Sequence, residues 1–149
     1  MIYISHSEDD TGNLGRSLGK ALISGVTVLL YGDLGSGKTV LVRGVCEFFG
    51  ISGVRSPSFT LINEYETKSG NYIIHADLYR LDPESVYAIG LEEYAGADDT
   101  ILFVEWPERW ENPPSDNVIK IYFQALNENE REIKIFADGL KAQEVLNSL

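Results

Sequence analysis

The sequence has a single cysteine, only 12 basic residues and no hydrophobic run long enough to cross a membrane. One thiol, Cys46, can form neither an internal disulfide nor a cysteine-based zinc site on its own. The apolar runs fall well short of the roughly 18 residues that a membrane span needs. The N-terminal residues also lack the basic, apolar and small-residue segments of a secretory signal peptide. These absences predict a cytoplasmic protein that does not interact with membranes.

Positive charge is also scarce, because 12 Lys and Arg face 23 Asp and Glu, for a formal net charge of −11. Proteins that bind nucleic acid unaided use Lys and Arg to neutralise phosphates, and this chain as a whole repels a polyanion. No cluster of about five to eight basic residues offsets that balance. The composition therefore disfavours unassisted binding of RNA or DNA.

Strand-like and helix-like segments alternate along the 149 residues, of which 44% are hydrophobic. Predicted strands cover residues 2–4, 26–31, 61–66, 72–78, 101–104, 118–126 and 132–136. Predicted helices begin near Asp9 or Asp10 and cover residues up to 22, then 39–49, 82–94 and 141–149. The polar turns at 68–71 and 127–130 each predict a hairpin. The pattern predicts one α/β domain, residues 1–149, with a mixed central sheet.

Residues 32–39, Gly-Asp-Leu-Gly-Ser-Gly-Lys-Thr, match the phosphate-loop pattern G-x-x-x-x-G-K-[ST] at every fixed position. Glycines allow successive backbone N–H groups to turn toward phosphate oxygens, and the helix that follows adds further donors. The absence of downstream N-K-x-D and D-x-x-G guanine-nucleotide signatures favours ATP. The predicted nucleotide-binding residues of this loop are Asp33, Leu34, Gly35, Ser36, Gly37, Lys38 and Thr39.

Two carboxylates end apolar strand runs: Asp77 follows residues 72–76, and Glu105 follows residues 101–104. Strand carboxyl ends border the ligand crevice of open α/β sheets, so both side chains are expected near the phosphates, where one can hold Mg²⁺ or its water. The alternative is that each simply faces water at a strand end. His75 shares the strand face of Asp77 and is predicted to be a hydrogen-bonded structural histidine rather than a base.

Arginines and tryptophans are weaker candidates. An arginine can neutralise the charge of a transferred phosphate, but solvated ion pairing is the simpler prediction for each. These arginines are Arg43, Arg55, Arg80 and Arg109. Trp106 and Trp110 are predicted to be core or partner-surface aromatics.

Further segments stand in a fixed order with the phosphate loop: Ser-Pro-Ser-Phe-Thr-Leu-Ile-Asn-Glu-Tyr at 56–65, His-Ala-Asp-Leu-Tyr-Arg-Leu at 75–81, and Glu-Trp-Pro-Glu at 105–108. Their order and spacing, from about Thr11 to Arg109, resemble the bacterial YjeE/TsaE family, the small ATPase of tRNA threonylcarbamoyladenosine (t6A) biosynthesis. Two positions depart mildly from the family pattern, with serine for threonine at 58 and serine for alanine at 36. The C-terminal hairpin and helix carry no matching motif.

The resemblance implies a P-loop NTPase-like three-layer fold that binds ATP and Mg²⁺. Lys38, Asp77 and Glu105 are then catalytic, with Thr39 and Glu105 on the metal. It further implies that Thr11 contacts the nucleotide near its base. Residues 56–60 are then a switch-like loop that responds to the γ-phosphate.

The implied activity is weak ATP hydrolysis that cycles or resets a transferase made of protein partners resembling TsaD and TsaB. On this interpretation tRNA is met only indirectly, through that complex. Two other function classes use the same loop. A small-molecule or protein kinase needs an acceptor pocket and an arginine-rich lid, and no such segment is visible. A nucleotide-gated binding module stays open, because Asp77 and Glu105 can both serve Mg²⁺ alone.

Overall fold

The computed structural model describes residues 1–149 and contains a seven-stranded mixed sheet. The strands are β1 (Ile2–Ser5), β2 (Thr27–Tyr31), β3 (Ile62–Glu66), β4 (Tyr72–Asp77), β5 (Thr100–Glu105), β6 (Val118–Ala125) and β7 (Arg131–Asp138). Their order in the sheet is β1-β7-β6-β2-β5-β4-β3. The central strands β6, β2, β5 and β4 run parallel, and antiparallel pairing adds β3 at one edge and β7 and β1 at the other.

Helices cover both faces of this sheet, which confirms the predicted three-layer α/β fold. They are α1 (Glu8–Ala21), α2 (Lys38–Phe48), α3 (Pro83–Ala88) and α4 (Leu140–Asn147), with short 3₁₀ helices at Leu91–Glu93 and Pro107–Arg109. One hydrophobic cluster joins the sheet to α1, α2 and α4, and a second joins its other face to α3 and the first 3₁₀ helix. None of the helices is both long and apolar enough to span a membrane.

Two predicted helix boundaries were wrong. Helix α1 is capped by Ser7, not by Asp9 or Asp10, because the Ser7 hydroxyl accepts the N–H of Asp10 at 3.1 Å. The acidic residues instead fill the first turn, where they favour the helix dipole. The predicted helix at 82–94 begins as expected at the Asp82 cap but breaks at Gly90, whose φ of 71° is left-handed.

Helices α1 and α2 touch through their backbones. A Cβ atom placed on Gly15 would lie 2.3 Å from the carbonyl oxygen of Leu41, and one on Gly44 would lie 2.3 Å from that of Gly12. No side chain larger than a hydrogen atom fits at either position, so only glycine allows the two helix backbones to lie this close. The contact fixes α1, which carries Thr11, against the helix that follows the phosphate loop.

We expect Gly44→Ala to lower the free energy of unfolding by about 2–3 kcal/mol, because its methyl group must push the two backbones apart. Gly12→Ala is the matched control, since its Cβ would meet nothing nearer than 3.6 Å, the end of the Arg16 side chain. Alanine there is expected to be neutral or slightly stabilising, through helix propensity. Urea unfolding measures both, and equal losses from the two variants would refute the close-contact explanation.

Candidate phosphate-binding site

The phosphate loop connects the carboxyl end of β2, a central strand, to the first turn of α2. Gly35 and Gly37 have φ values of 75° and 106°, in the left-handed region that residues with side chains avoid. No side chain caps α2, and its first turn contains no acidic residue. The N–H groups at this helix terminus are therefore free of side-chain acceptors, and the helix dipole favours an anion there.

Lys38 lies in this loop with only 4% of its surface exposed. Its ammonium donates a hydrogen bond to the carbonyl of Gly32 and lies 4.3 Å from the centroid of the Trp106 ring. Burial lowers the pKa of Lys38, and the carboxylates of Glu105 and Asp77 offset part of that effect. The ammonium makes no ion pair with a carboxylate, so its partners are weak enough for a phosphate to replace.

Glu105 lies buried at the end of β5, facing the first turn of α2. Its Oε2 accepts hydrogen bonds from the Thr39 hydroxyl at 3.1 Å and from His75 Nε2 at 2.5 Å. Burial raises the pKa of Glu105, but the His75 hydrogen bond and the charges of His75 and Lys38 outweigh burial and lower the pKa below its ordinary value. The carboxylate is thus held ionised and oriented toward Thr39.

His75 is fully buried and hydrogen-bonded to Glu105, so the prediction that this histidine is hydrogen-bonded is confirmed. Because an ionised carboxylate can only accept, Nε2 carries a proton, and Nδ1 is buried without a partner. The His75 ring therefore holds the Glu105 carboxylate in its orientation through this hydrogen bond.

Asp77 pairs in register with Glu105 on the neighbouring parallel strand, so the two carboxylates end adjacent strands on one face. One Asp77 oxygen accepts the N–H of Tyr79 at 2.9 Å, and the other accepts the Ser58 hydroxyl at 3.4 Å. The structure thus brings both strand-end carboxylates beside the phosphate loop, as expected from the sequence. Neither side chain simply faces water.

Thr11 borders the other side of the loop, where a cleft of about 430 Å³ opens between α1 and the turn that joins β6 to β7. Its hydroxyl shares a 2.7 Å hydrogen bond with Ser5, and its methyl group lies beside Gly37. Sequence reasoning missed the far wall of this cleft, which contains Glu128, Asn129 and Arg131. The missing information was strand order: β6 runs parallel to β2, so its carboxyl end reaches the phosphate loop.

Of the arginines and tryptophans considered from the sequence, some make hydrogen bonds or aromatic contacts and others lie in the core. Arg109 donates to the Leu81 carbonyl at 3.1 Å, and Arg80 stacks on an aromatic ring. None of the four candidate arginines forms an ion pair with a carboxylate, so that prediction was wrong for Arg43, Arg55, Arg80 and Arg109. Trp110 is buried, as expected for a core residue, and burial raises the pKa of the Cys46 thiol to about 12.

Comparison with known proteins is consistent with this geometry. The family model described as threonylcarbamoyl adenosine biosynthesis protein TsaE matches residues 5–133. The chain is 40% identical over 136 residues to the Aquifex aeolicus tRNA threonylcarbamoyladenosine biosynthesis protein TsaE, covering 89% of this chain and 93% of that protein. It is 42% identical over 127 residues to the Nostoc protein of the same name, covering 81% and 77%. The crystal structure of Bacillus subtilis YdiB superposes with a TM-score of 0.79 and 26% identity, covering 99% of this chain and 91% of that one.

Proposed function

Given that the chain belongs to the TsaE family, which acts in tRNA threonylcarbamoyladenosine biosynthesis, we propose that its part there is Mg²⁺-dependent ATP hydrolysis. The observation that carries this proposal is that the phosphate loop, through Thr39, meets the strand-end carboxylates Glu105 and Asp77 at one end of the sheet. Hydrolysis is weak in the isolated protein. It cycles or resets a transferase formed by partners resembling TsaD and TsaB.

ATP binding begins with the loop N–H groups and Lys38. The triphosphate offers the ammonium charged oxygens in place of the Gly32 carbonyl and the Trp106 ring, and charge-assisted hydrogen bonds are about twice as strong as neutral ones. Asp33, Leu34, Gly35, Ser36 and Gly37 supply the backbone of the loop. Thr11, in the adjoining cleft, contacts the nucleotide near its base.

Thr39 and Glu105 would hold the magnesium ion. Their hydroxyl and carboxylate oxygens already meet at 3.1 Å, and oxygen donors are what Mg²⁺ requires. No group of three or more His, Cys, Asp or Glu side chains forms a dedicated cage, which suits an ion that takes few protein ligands and completes its shell with phosphates and water. When bound, Mg²⁺ neutralises charge on the β- and γ-phosphates.

Hydrolysis then needs a water aligned with the γ-phosphorus. Water attacks that phosphorus, the bond to the β–γ bridging oxygen breaks, and ADP and phosphate leave. Asp77 or Glu105 orients the water, because both are buried carboxylates at this strand edge. The hydrogen bond from Ser58 to Asp77 connects residues 56–60 to the same event, so this loop responds to the γ-phosphate.

The partners, and not this chain, hold the tRNA. A formal charge of −11 disfavours direct contact with a polyanion. On this proposal ATP turnover cycles or resets the transferase, and the transfer of the threonylcarbamoyl group takes place on the partner proteins.

The decisive experiment measures phosphate release by the purified protein with and without the TsaD–TsaB complex. We expect slow turnover alone and faster turnover with the partners. Turnover unchanged by the partners would contradict the proposed role. Turnover no faster than that of a Lys38→Ala variant would instead identify a nucleotide-gated binding module, and dependence on a small metabolite would identify a kinase.

Removing the His75 ring is expected to weaken magnesium use rather than ATP binding. His75→Ala leaves Glu105 without its 2.5 Å partner, and loss of such a supporting contact typically lowers metal affinity by about 10-fold or more. A Mg²⁺ titration of ATPase activity measures the shift in the half-maximal concentration. His6→Ala, the only other histidine and an exposed one, is the matched control. Equal curves for the two variants would show that His75 does not support the metal site.

A further inference from the structure

Phe59 is one of the most exposed apolar side chains of the protein, with 84% of its surface accessible to solvent. Its ring does not pack into the core but lies under the guanidinium of Arg80, 4.7 Å from the ring centroid. Beside it, Phe59 and Arg55 line a shallow cleft of about 490 Å³ that also includes Ile62 and Tyr65. Aromatic and arginine side chains are the residues that most often carry the binding energy of protein interfaces.

The loop that presents Phe59 is held in place by its own hydrogen bonds. The Thr60 hydroxyl donates to Asn63 at 2.6 Å, and the Asn63 amide donates to the Arg55 carbonyl at 3.1 Å. Leu61 adopts a left-handed φ of 69°, and its N–H donates to the Pro57 carbonyl at 2.8 Å. An exposed ring on a preorganised loop loses little conformational entropy on binding, which favours a role in recognition.

We propose that Phe59, Arg80 and Arg55 form a docking surface for a protein partner that offers an apolar pocket for the ring and carboxylates around its rim. This inference rests on the proposed function, so the partner is the transferase complex resembling TsaD–TsaB. The surface occupies the same end of the sheet as the phosphate loop.

The charge of the docking surface indicates which kind of partner it binds. Arg55 and Arg80 flank Phe59, and Glu64 is the single carboxylate that lines the cleft, so the surface is locally basic on a chain with a charge of −11. Acidic groups on a partner complement these arginines and are repelled by most of the remaining surface, which restricts docking to this place. An RNA backbone would carry far more negative charge to the same acidic protein, so a protein fits better.

The docking surface is also connected to the nucleotide site. Ser58, the residue before Phe59, donates its hydroxyl to Asp77 at 3.4 Å. A change at Asp77 on binding ATP therefore reaches Phe59 through one peptide unit. If the nucleotide changes the affinity for the partner by some factor, then a partner bound at Phe59 must change the affinity for the nucleotide by the same factor, because the two binding equilibria are linked.

The test measures the affinity of the full chain for the purified TsaD–TsaB complex, at fixed ADP, by titration calorimetry. Phe59→Ala is expected to weaken binding about 30-fold, the effect of removing an interface anchor. Arg80→Glu is expected to weaken it about 10-fold or more, because it turns attraction into repulsion.

Matched controls lie at the opposite end of the sheet. Leu140 is 87% exposed at the start of α4, and Lys68 is exposed in the turn between β3 and β4. Leu140→Ala and Lys68→Glu are expected to bind the complex within about twofold of the wild type, since exposed substitutions away from an interface change little. The ADP affinity of each variant, measured alone, tests whether its nucleotide site is intact.

The outcomes separate the two levels of the proposal. If the wild type binds the complex and Phe59→Ala binds equally well, only the docking surface is refuted. If the wild type neither binds the complex nor is stimulated by it, the proposed function fails and the docking surface fails with it. If isolated tRNA binds the wild type and Phe59→Ala reduces that binding, the occupant is RNA and the inferred protein partner is wrong.

Discussion

Lys38→Ala is expected to lower ATP hydrolysis by on the order of 100-fold, both alone and with partners. The ammonium is the one buried positive charge in the loop, and no other side chain can take its place against the phosphates. Its loss removes charge-assisted hydrogen bonds to the β- and γ-phosphates, where charge develops during phosphoryl transfer. Phosphate release at saturating ATP gives the turnover number, and calorimetry with ADP gives the affinity.

The control for this change is Lys68→Ala, which removes an exposed lysine from the hairpin turn between β3 and β4. Its turnover and ADP affinity are expected to match the wild type. Thermal unfolding distinguishes loss of function from loss of fold in the Lys38 variant. Turnover that survives in folded Lys38→Ala would remove the phosphate loop from the chemistry and with it the proposed ATPase.

Glu105→Gln is expected to lower hydrolysis by about 100-fold while leaving Mg²⁺-free ADP affinity nearly unchanged. The amide keeps the shape of the side chain and can still accept hydrogen bonds from Thr39 and His75. It loses the negative charge that strengthens the binding of a divalent cation, so the effect is expected to fall on magnesium-dependent turnover. Calorimetry with and without Mg²⁺, together with phosphate release, measures the two parts separately.

Two further variants complete this test. Glu111→Gln removes an exposed carboxylate after β5 and is expected to behave as the wild type. Asp77→Asn addresses the water: a loss of turnover with normal Mg²⁺ dependence would assign water positioning to Asp77. If Glu105→Gln retained full Mg²⁺-dependent turnover, Glu105 would not be a metal ligand.

The parts of the site that follow from local sequence were predictable. The phosphate loop is a continuous run of residues, and Asp77 and Glu105 end apolar strands that parallel pairing brings to one edge. The wall formed by Glu128, Asn129 and Arg131 was not predictable, because its place depends on β6 lying beside β2. That order is a property of the whole sheet and leaves no local pattern.

The misplaced helix boundaries have a similar physical origin. Good helix-capping residues are present at Ser7, Asp9 and Asp10. Which of them caps α1 depends on where β1 ends, at Ser5. Gly90 permits the left-handed φ that ends the helix, but glycine is also tolerated within helices, so its presence alone does not decide between the two. The exposed Phe59 was unpredictable for the converse reason, since an apolar residue in sequence is by default assigned to a core.

The strand order has a consequence for how the protein is made. Strand β2, which leads into the phosphate loop, has β6 as a neighbour. Strand β1 pairs only with β7, so the first strand to be synthesised cannot join the sheet until the last one is present. On the ribosome, where residues emerge in order, the loop is synthesised long before the turn at 127–130 that walls its cleft. A nascent chain that has not yet reached β6 exposes an open edge on β2, which invites pairing with other strands. The cleft beside the phosphate loop is therefore complete only near the end of synthesis.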